Sequence, residues 1–379
     1  MKIALVKQDV YADLYVASRK ESDPAEVLFS SMMRVGPYGL IENLEADFII
    51  VKEEDCFETQ IYRQVIPQYA SKFRLLKTHT LNEIPGFKSF EPGSPLPNGY
   101  YAVDASDVDW GEYDVVISVN VSIPTKLVRK FPSTLFAYMI GEANFGMNKV
   151  RFGYDVVLNQ KARGIYEPSS KGVIDFPYTF LSDSSIESAM RRALGREPIN
   201  EGVFVEVNSV MSVVELGGRR VYRHSQNIKT NLTNLYDAKY FIKCGGRFIR
   251  GNSVAEAISS GTLVLINRDD IVYRELIPDG CNVNCLEDAL TQMTELDNNP
   301  SLYDELLRQE RERVQKYLFD APLNALKLAL NKKRSDGPES YSLLNRAWDF
   351  LFIQCVKCKN LIKFILKKMH MNFLFRKMK

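Results

Sequence analysis

The sequence predicts an α/β protein with two domains, each built on a parallel sheet, and a basic helical tail at its C-terminus. Three observations support this prediction. Short apolar runs rich in β-branched residues alternate with helix-length segments. A chain of 379 residues is too long for one compact core and suits two domains of ordinary size. Residues 341–379 concentrate positive charge that the rest of the chain lacks.

The first domain is predicted over residues 1–181, where short apolar runs indicate buried parallel strands. These runs are Ile3–Val6, Phe48–Val51, Val115–Val119, Leu135–Ile140 and Val156–Leu158. Helix-length segments separate some of them, at Ala25–Met33 and Gln60–Phe73. The alternation is typical of a doubly wound parallel sheet.

Residues 182–200 are predicted to connect the domains, because the helical piece Ile186–Ala193 is followed by Gly195 and Pro198. The second domain is predicted over residues 201–330. Its expected strands are Val203–Val207, Tyr240–Lys243, Leu263–Ile266 and Asn282–Asn284, and its expected helices are Leu286–Leu296 and Ser301–Tyr317. Residues 332–338 indicate a charged, turn-rich linker.

The segment Tyr240–Asn267 is the most informative part of the chain, since it predicts a strand, a polar loop, a short helix and a second strand. The loop, residues 245–253, leads into a helix whose first turn presents free N–H groups and the positive end of a dipole, which bind anions. Asn252 or Ser253 is a suitable N-cap, and Glu256 lies within reach of a capping box or a ligand hydroxyl. The pattern therefore indicates a ligand-binding unit. The alternative is that these residues only cap and pack an ordinary helix.

Residues Glu256–Val264, which read E-A-I-S-S-G-T-L-V, resemble a known motif. The motif is E-A-x-A-x-G-x-P-V, from the nucleotide-sugar-binding half of GT-B glycosyltransferases of the family 4 and family 1 type. The resemblance implies two Rossmann-like domains that face a cleft, with Glu256 on the ribose and the helix start facing the diphosphate. Retaining members carry a second Glu eight residues upstream, where this chain has Phe248. We therefore expect an inverting reaction.

Glycosyl transfer needs positive charge or a helix dipole for the departing diphosphate, and an inverting enzyme also needs a base for the acceptor hydroxyl. The candidate donor-binding residues are Lys243, Arg250, Gly251, Asn252, Ser253 and Glu256. Glu142 is the expected base because it follows the strand Leu135–Ile140, and open α/β sheets bind ligands beyond the carboxyl ends of their strands. His224 is the second candidate. The alternative for Glu142 is a cap on the next helix.

The acceptor is expected to contact a tight loop in the first domain. Arg34 and Tyr38 lie in the sequence R-V-G-P-Y-G, where two glycines and a proline fix a turn. They offer a cation and an aromatic ring to a glycan. A plain turn with an exposed arginine is the alternative reading.

We expect no metal site and no cofactor, with the nucleotide sugar serving as a substrate. Asp107 and Asp109 match the D-x-D pattern of a metal-binding motif, but they precede a strand, whereas that motif follows one. The histidines are scattered, and no pair has the spacing of metal ligands. Two cysteine pairs resemble zinc ligands in spacing, but Cys355 and Cys358 lie in an apolar helical pattern and are expected to pack as small hydrophobic residues. The patterns G-x-G-x-x-G, P-loop, G-x-S-x-G and H-E-x-x-H are absent, which argues against hydride transfer, NTP hydrolysis, α/β-hydrolase and zincin chemistry.

The tail over residues 339–379 is predicted to form an amphipathic helix on a membrane surface. Residues 341–379 contain nine basic residues and one acidic residue, a net charge of +8, against +2 for the whole chain. Apolar positions from Cys358 to Met369 share one helical face, and lysines form a neighbouring stripe. Because lysines interrupt every apolar window, the helix is expected to lie on the bilayer. The alternatives are a partner protein, a disordered end or, for Leu343–Phe352, docking on the catalytic body.

The sequence thus predicts a cytoplasmic glycosyltransferase, peripheral on the inner face of the membrane, that takes part in surface polysaccharide synthesis. Its cysteines are expected to be reduced. Its expected partners are a nucleotide sugar, a glycan or lipid-linked glycan acceptor and an anionic membrane surface, with no nucleic acid. Two alternatives share this architecture: an enzyme resembling nucleotide-sugar epimerases, and a non-catalytic protein that binds a sugar or a nucleotide.

Overall fold

The computed structural model describes residues 1–8, 44, 46–51, 78–79, 102–103, 105–119, 123–139, 154–159, 172–177, 180–206, 209, 216, 218–225 and 228–336, together with residues 347, 351, 354, 358 and 362. The described residues within Met1–Glu21, Leu40–Tyr178 and Asn324–Lys379 form one compact unit, and those within Thr179–Leu323 form another. We call them the N-terminal unit and the C-terminal unit. Each is built on a parallel sheet, so the predicted α/β class is confirmed.

The N-terminal unit contains an eight-stranded sheet. Its strands are β1 Ile3–Gln8, β2 Asp47–Val51, β3 Thr78–His79, β4 Ala102–Val103, β5 Val115–Val119, β6 Leu135–Met139, β7 Val156–Asn159 and β8 Gly172–Asp175. The spatial order is β3-β4-β2-β1-β5-β6-β7-β8, and β3 alone runs antiparallel to its neighbour. The order in which the chain adds strands to the sheet reverses between β1 and β5, which is the position where doubly wound sheets bind ligands. All five strands predicted for this half are confirmed.

The segment before β5 is structural. The indole of the fully buried Trp110 donates a hydrogen bond to the carbonyl of Ala105 at 2.9 Å. Asp109 accepts a hydrogen bond from the backbone N–H of Gly111 at 3.0 Å and so caps a 3₁₀ turn at Trp110–Glu112. The acidic pair that resembles D-x-D therefore begins a turn. A short helix, α1, follows β5 at Thr125–Val128.

The C-terminal unit contains a four-stranded, wholly parallel sheet. Its strands are β9 Val203–Val205, β10 Val221–Arg223, β11 Tyr240–Lys243 and β12 Leu263–Ile266, in the order β10-β9-β11-β12. The strand predicted at Asn282–Asn284 is wrong, because only one bridge joins Asn282 to Ile266. Asn282 is exposed and its side chain accepts a hydrogen bond from the N–H of Arg268, so it closes a turn instead of extending the sheet.

The helices of the C-terminal unit include those that the sequence predicted and a further one, at Ile228–Asp237, that it did not. They are α2 Ser185–Leu194, α3 Ile228–Asp237, α4 Asn252–Ser259, α5 Leu286–Asn298 and α6 Pro300–Val314. A π-helical turn at Gln315–Asp320 joins α6 to α7 Ala321–Asp336, whose residues from Asn324 onward belong to the N-terminal unit. The start of α6 is fixed by Asn299, whose side chain accepts a hydrogen bond from the N–H of Leu302, and by Pro300 in the first helical turn. The helices predicted at residues 186–193, 286–296 and 301–317 are confirmed, although the last one ends in the π-helical turn.

The linker predicted at residues 332–338 is helical as far as Asp336, because its charges have partners in the N-terminal unit. Lys333 donates to Asp155 at 2.7 Å, and Arg334 donates to Asp114 at 2.6 Å. These pairs join residues more than 170 positions apart in the chain, so local composition gives no sign of them.

A carboxyl group from α6 covers the outer edge of β12, the last strand of the sheet. Glu310 is fully buried and accepts a hydrogen bond from the N–H of Val264 at 3.0 Å. Burial raises the pKa of Glu310 well above its usual value. The contact satisfies an edge-strand N–H that would otherwise be open to another chain.

Several predicted elements lie outside the described residues: the helices at Ala25–Met33 and Gln60–Phe73, and most of the tail. Among the residues that the structure describes, no helix combines the length and the apolarity needed to cross a bilayer.

Candidate functional site

The carboxyl end of β11 leads into a loop that needs glycine. Gly245 and Gly246 have φ angles of 64° and 81°, and Gly251, which precedes α4, has a φ of 104°. Residues with a Cβ atom rarely adopt such angles. A Cβ at Gly251 would also lie 3.3 Å from the ring of Tyr273, so the backbone passes close to that side chain. The glycines of the predicted polar loop therefore have a conformational role that the sequence analysis did not identify.

The middle of the loop is held by the segment that follows β12. The N–H of Ile249 donates to the carbonyl of Asp270 at 2.9 Å, and the N–H of Val272 donates back to the carbonyl of Ile249 at 3.1 Å. These reciprocal bonds form a one-residue parallel bridge between Ile249 and Ile271. The loop is thereby attached to the sheet on both sides before it enters α4.

Helix α4 begins with an open N-terminus. Gly251 is its N-cap, so the predicted N-cap at Asn252 or Ser253 is wrong. Gly251 has no side chain to accept from the first-turn N–H groups, while its carbonyl accepts from the N–H of Ala255 at 3.0 Å. The N–H groups of the first turn and the positive end of the helix dipole therefore point beyond the start of the helix. Such an end attracts an anion, and a phosphate matches it in charge and size.

The structure brings four of the predicted donor-binding side chains together at this helix start. Arg250, Asn252, Ser253 and Glu256 are all partly buried and occupy the last loop residue and the first two turns of α4. The Oδ1 atom of Asn252 is buried and has no hydrogen-bond partner among the described residues. A buried amide oxygen normally accepts a hydrogen bond, which a ligand or a water molecule can donate here. Glu256 lies about 6 Å along the axis from the helix start, one turn behind it.

The other end of α4 is anchored within the C-terminal unit. Ser259 is fully buried; it donates to the carbonyl of Ser182 at 3.0 Å and accepts from the N–H of Ile186 at 3.1 Å. Gly261 then ends the helical segment with a φ of 91°. The C-terminal end of α4 is thus hydrogen-bonded to the start of α2 and the residues before it.

Lys243 is placed differently from the other donor candidates. It is the last residue of β11, its side chain is 0% exposed, and its Nζ atom contacts the carbonyl of Gly245 and the carboxylate of Asp270. The contacts that the structure gives Lys243 are thus internal. Asp270, which the sequence did not single out, is its partner.

Two more residues lie at the carboxyl end of β9, beside the loop. Glu206 is 4% exposed, and its N–H donates to the carbonyl of Ile242 at 3.1 Å, so it continues the pairing of β9 with β11. The hydroxyl of Ser209 donates to the carbonyl of Cys244 at 3.0 Å and accepts from the N–H of Cys244 at 3.2 Å. Sequence reasoning missed both residues, because it placed Glu206 inside the predicted strand Val203–Val207, whereas β9 ends at Val205, where the strand order reverses.

The thiol of Cys244 is not set up as a nucleophile. It is buried beside the glycine loop, and burial raises its pKa to about 11. The thiol is therefore protonated near neutral pH, and the residue packs as a small hydrophobic side chain.

His224, the second candidate base, is exposed and directly follows β10. Its strand is separated from β11 by β9, which places the ends of the two strands about 10 Å apart on the same edge of the sheet. The candidate base Glu142 and the acceptor candidates Arg34 and Tyr38 lie outside the described residues. Among the described residues, no group of three or more His, Cys, Asp or Glu is arranged to hold a metal ion.

Comparisons with solved structures identify glycosyltransferases as neighbours of this fold. The β-glucosyltransferase of T4 phage is 13% identical, with a TM-score of 0.40 over 88% of this chain and 99% of that chain. A glycosyltransferase from Rickettsia africae is 10% identical, with a TM-score of 0.39 over 88% and 97%. Anabaena HepE, solved in complex with UDP, is 9% identical, with a TM-score of 0.35 over 89% and 100%.

No protein-family model matches the chain, and no curated protein sequence matches it. With TM-scores below 0.5, the structural similarities identify neighbours and assign the chain to no family.

Proposed function

We propose that this protein is a GT-B glycosyltransferase of the family 4 and family 1 type, which transfers a sugar from a nucleotide sugar to a glycan or lipid-linked glycan acceptor. The reaction we propose is inverting and independent of metal, and its biological setting is surface polysaccharide synthesis. One observation carries the proposal: a glycine loop at the carboxyl end of β11 leads into the open N-terminus of α4, with Arg250 before it and Glu256 one turn behind.

The helix start suits the diphosphate of the donor. Two phosphates carry negative charge that the first-turn N–H groups, the helix dipole and the guanidinium of Arg250 can offset together. The same groups stabilise the diphosphate as it departs, because charge grows on it during transfer. Catalysis then needs no cofactor on the donor side.

The residues behind the helix start suit hydroxyl groups. A carboxylate accepts hydrogen bonds and donates none, so Glu256 is matched to the two hydroxyls of a ribose. The buried Oδ1 atom of Asn252 is another acceptor at the same place. Glu206, buried at the end of β9, would repel a phosphate but accept from a hydroxyl of the sugar. In this proposal the donor therefore lies with its phosphates at α4 and its hydroxyls towards these acceptors.

The transfer step requires a base. Glu142 is the base in this proposal, and His224 is the second candidate. Removing the proton from the acceptor hydroxyl makes that oxygen a nucleophile for the sugar carbon. Arg34 and Tyr38 hold the acceptor. These assignments follow from the sequence, since three of these four residues lie outside the described part of the chain.

The donor site is tested by binding measurements on Glu256→Ala and Arg250→Ala. Each change is expected to weaken nucleotide binding by about 1–3 kcal/mol, because charge-assisted hydrogen bonds are lost. Titration calorimetry with UDP, GDP, ADP, CMP and dTDP measures the effect. Glu295→Ala and Arg192→Ala, exposed residues of α5 and α2, are the matched controls and should bind as the unchanged protein does. Normal affinity in both site variants would contradict the assigned site.

Incubation with labelled nucleotide sugars distinguishes transfer from the two alternatives. Release of free nucleotide with formation of a glycan product is expected for a transferase. A changed sugar on an intact nucleotide would indicate epimerisation, and saturable binding without turnover would indicate a receptor.

The tail is proposed to hold the enzyme on an anionic membrane surface at the inner face of the cytoplasmic membrane. The described tail residues Ala347, Leu351, Gln354, Cys358 and Ile362 are helical, exposed and spaced by three or four positions, so they lie on one face. Leu351 and Ile362 are 53% and 45% exposed. An exposed face with apolar residues in a segment of net charge +8 matches a bilayer with acidic headgroups.

Leu351→Glu and Ile362→Glu are expected to reduce sedimentation with anionic vesicles, and a chain that ends near Pro338 is expected to lose it. Each lysine near the surface contributes about 1 kcal/mol, so binding should also weaken as salt is raised. Leu328→Glu is the matched control, because Leu328 is 70% exposed on α7, outside the tail. If the shortened chain sediments as well as the full chain, the tail is not the anchor.

A further inference from the structure

An ion pair between a fully buried lysine and a partly buried aspartate holds Gly245, the first residue of the glycine loop. Lys243 has a side chain that is 0% exposed, and its Nζ atom lies 3.2 Å from Oδ2 of Asp270. The same ammonium donates to the carbonyl of Gly245 at 2.8 Å, and the same Oδ2 atom accepts from the N–H of Gly245 at 2.9 Å. Both polar groups of Gly245 are therefore held by one Lys–Asp pair.

Burying an ammonium group is costly, and the pair does not recover this cost by packing alone. Each charge is satisfied in part by the backbone of Gly245, which has a φ of 64°. The pair thus fixes Gly245 in a left-handed conformation, which a glycine leaves easily when it is unrestrained. What it stabilises is the direction of the loop as it leaves β11.

Asp270 also holds the loop at a second point. Its carbonyl accepts from the N–H of Ile249 at 2.9 Å, two residues before the N-cap Gly251. One residue therefore binds the entry of the loop through its side chain and the exit through its backbone. The N–H groups at the start of α4 are aimed by the loop that Asp270 holds.

We infer that the Lys243–Asp270 pair positions the glycine loop for the diphosphate of a nucleotide, with Asp270 acting as a positioning residue. The inference rests on the proposed function and gives Lys243 a different task from direct donor contact. Because Asp270 neutralises Lys243, the net positive charge offered to the phosphates comes from Arg250 and the helix start. Neither partner of the pair needs to touch the ligand.

The chain provides a matched control at the opposite end of the same strand. Lys239, directly before β11, donates to Oδ1 of Asp297 at 2.7 Å, and Tyr240 donates to the same oxygen at 2.8 Å. Arg219 adds a contact to the other oxygen of Asp297 at 2.7 Å. This second Lys–Asp pair lies at the amino end of β11, away from the glycine loop, so changing it alters stability without touching the site.

The test measures nucleotide affinity and thermal unfolding of the full chain with Asp270→Asn, Lys243→Met, the double variant, and Asp297→Asn. The ligand is whichever of UDP, GDP, ADP, CMP and dTDP binds the unchanged protein most tightly. Asp270→Asn is expected to weaken binding about 10-fold to 100-fold, since the loop loses its fixed direction. Asp297→Asn is expected to lower the unfolding temperature and leave affinity unchanged.

The double variant separates a positioning role from a purely structural one. Asp270→Asn alone leaves a buried ammonium without its counter-ion, whereas Lys243→Met with Asp270→Asn removes both charges and should recover much of the unfolding temperature. Affinity is expected to stay low, because the carbonyl of Gly245 has then lost its ammonium donor and its N–H faces an amide in place of the carboxylate. Affinity that returns together with stability would overturn the inference, as would normal binding by Asp270→Asn. If the unchanged protein binds none of the five nucleotides, this result contradicts the proposed function. It then also contradicts the nucleotide ligand assigned to the loop.

Discussion

Gly202→Ala is expected to lower the free energy of unfolding of the C-terminal unit by about 2–5 kcal/mol, from backbone strain and overpacking together. Gly202 has a φ of 75°, which disfavours any residue with a Cβ. An added Cβ would lie 3.1 Å from the carbonyl carbon of Arg220 and closer still to its oxygen. That oxygen also accepts from the N–H of Val203 at 2.8 Å, so moving it disturbs the pairing of β9 with β10.

The position is sensitive because three strands meet there. The carbonyl of Gly202 accepts from the N–H groups of Lys239 and Tyr240 at 3.2 Å each, which aligns β11 with β9. A shift at Gly202 is thus transmitted to the strand that carries the glycine loop. Denaturant titration followed by circular dichroism measures the loss.

Gly218→Ala is the matched control for the effect of sterics. Gly218 has the same φ of 75°, but no atom of the described residues lies within 4 Å of a Cβ built there. Its replacement should therefore cost only the conformational part, about 1–2 kcal/mol. Equal losses in the two variants would show that the clash with Arg220 contributes nothing.

Glu142→Gln is expected to reduce turnover by about 10²-fold to 10⁴-fold, with donor affinity retained. The amide keeps the size of the carboxylate but cannot take a proton from the acceptor hydroxyl. Steady-state kinetics with a nucleotide sugar and acceptor give kcat, and calorimetry gives the donor affinity separately. A fall in kcat with an unchanged affinity is the expected pattern for a base.

Glu112→Gln provides the control in the same half of the chain. Glu112 is exposed and pairs with Lys2 at 3.2 Å, in a 3₁₀ turn before β5, so its charge has no place in the proposed reaction. Near-normal turnover in Glu142→Gln would remove that residue from the mechanism. His224→Ala would then become the decisive variant, since His224 lies on the carboxyl edge of the second sheet.

The sequence predicted the strands and helices well wherever the signal is local. The runs at Val115–Val119, Tyr240–Lys243 and Leu263–Ile266 became strands with those same limits, because buried parallel strands need continuous apolar residues. Residues 245–253 were predicted as a polar loop, and its three glycines all have positive φ angles in the structure. A glycine that must adopt such an angle is visible in sequence because few other residues replace it.

The errors arose where long-range partners outweigh local composition. Residues 332–336 have the composition of a linker, yet they complete α7 because Lys333 and Arg334 find carboxylates in the N-terminal unit. The expected strand at Asn282–Asn284 is a single bridge, since a polar, exposed asparagine closes a turn there. Neither partner can be identified from the neighbouring residues.

The sequence by itself determined the α/β class, the glycine loop and the helix start that follows it, because these depend on apolar periodicity and on backbone angles within a few residues. The tertiary structure decided which side chains serve that loop. Asp270 reaches Gly245 across 25 positions of sequence, and Ser209 reaches Cys244 across 35. Such contacts depend on parallel strands that bring distant chain ends to one edge of a sheet, and no local pattern specifies the pairing.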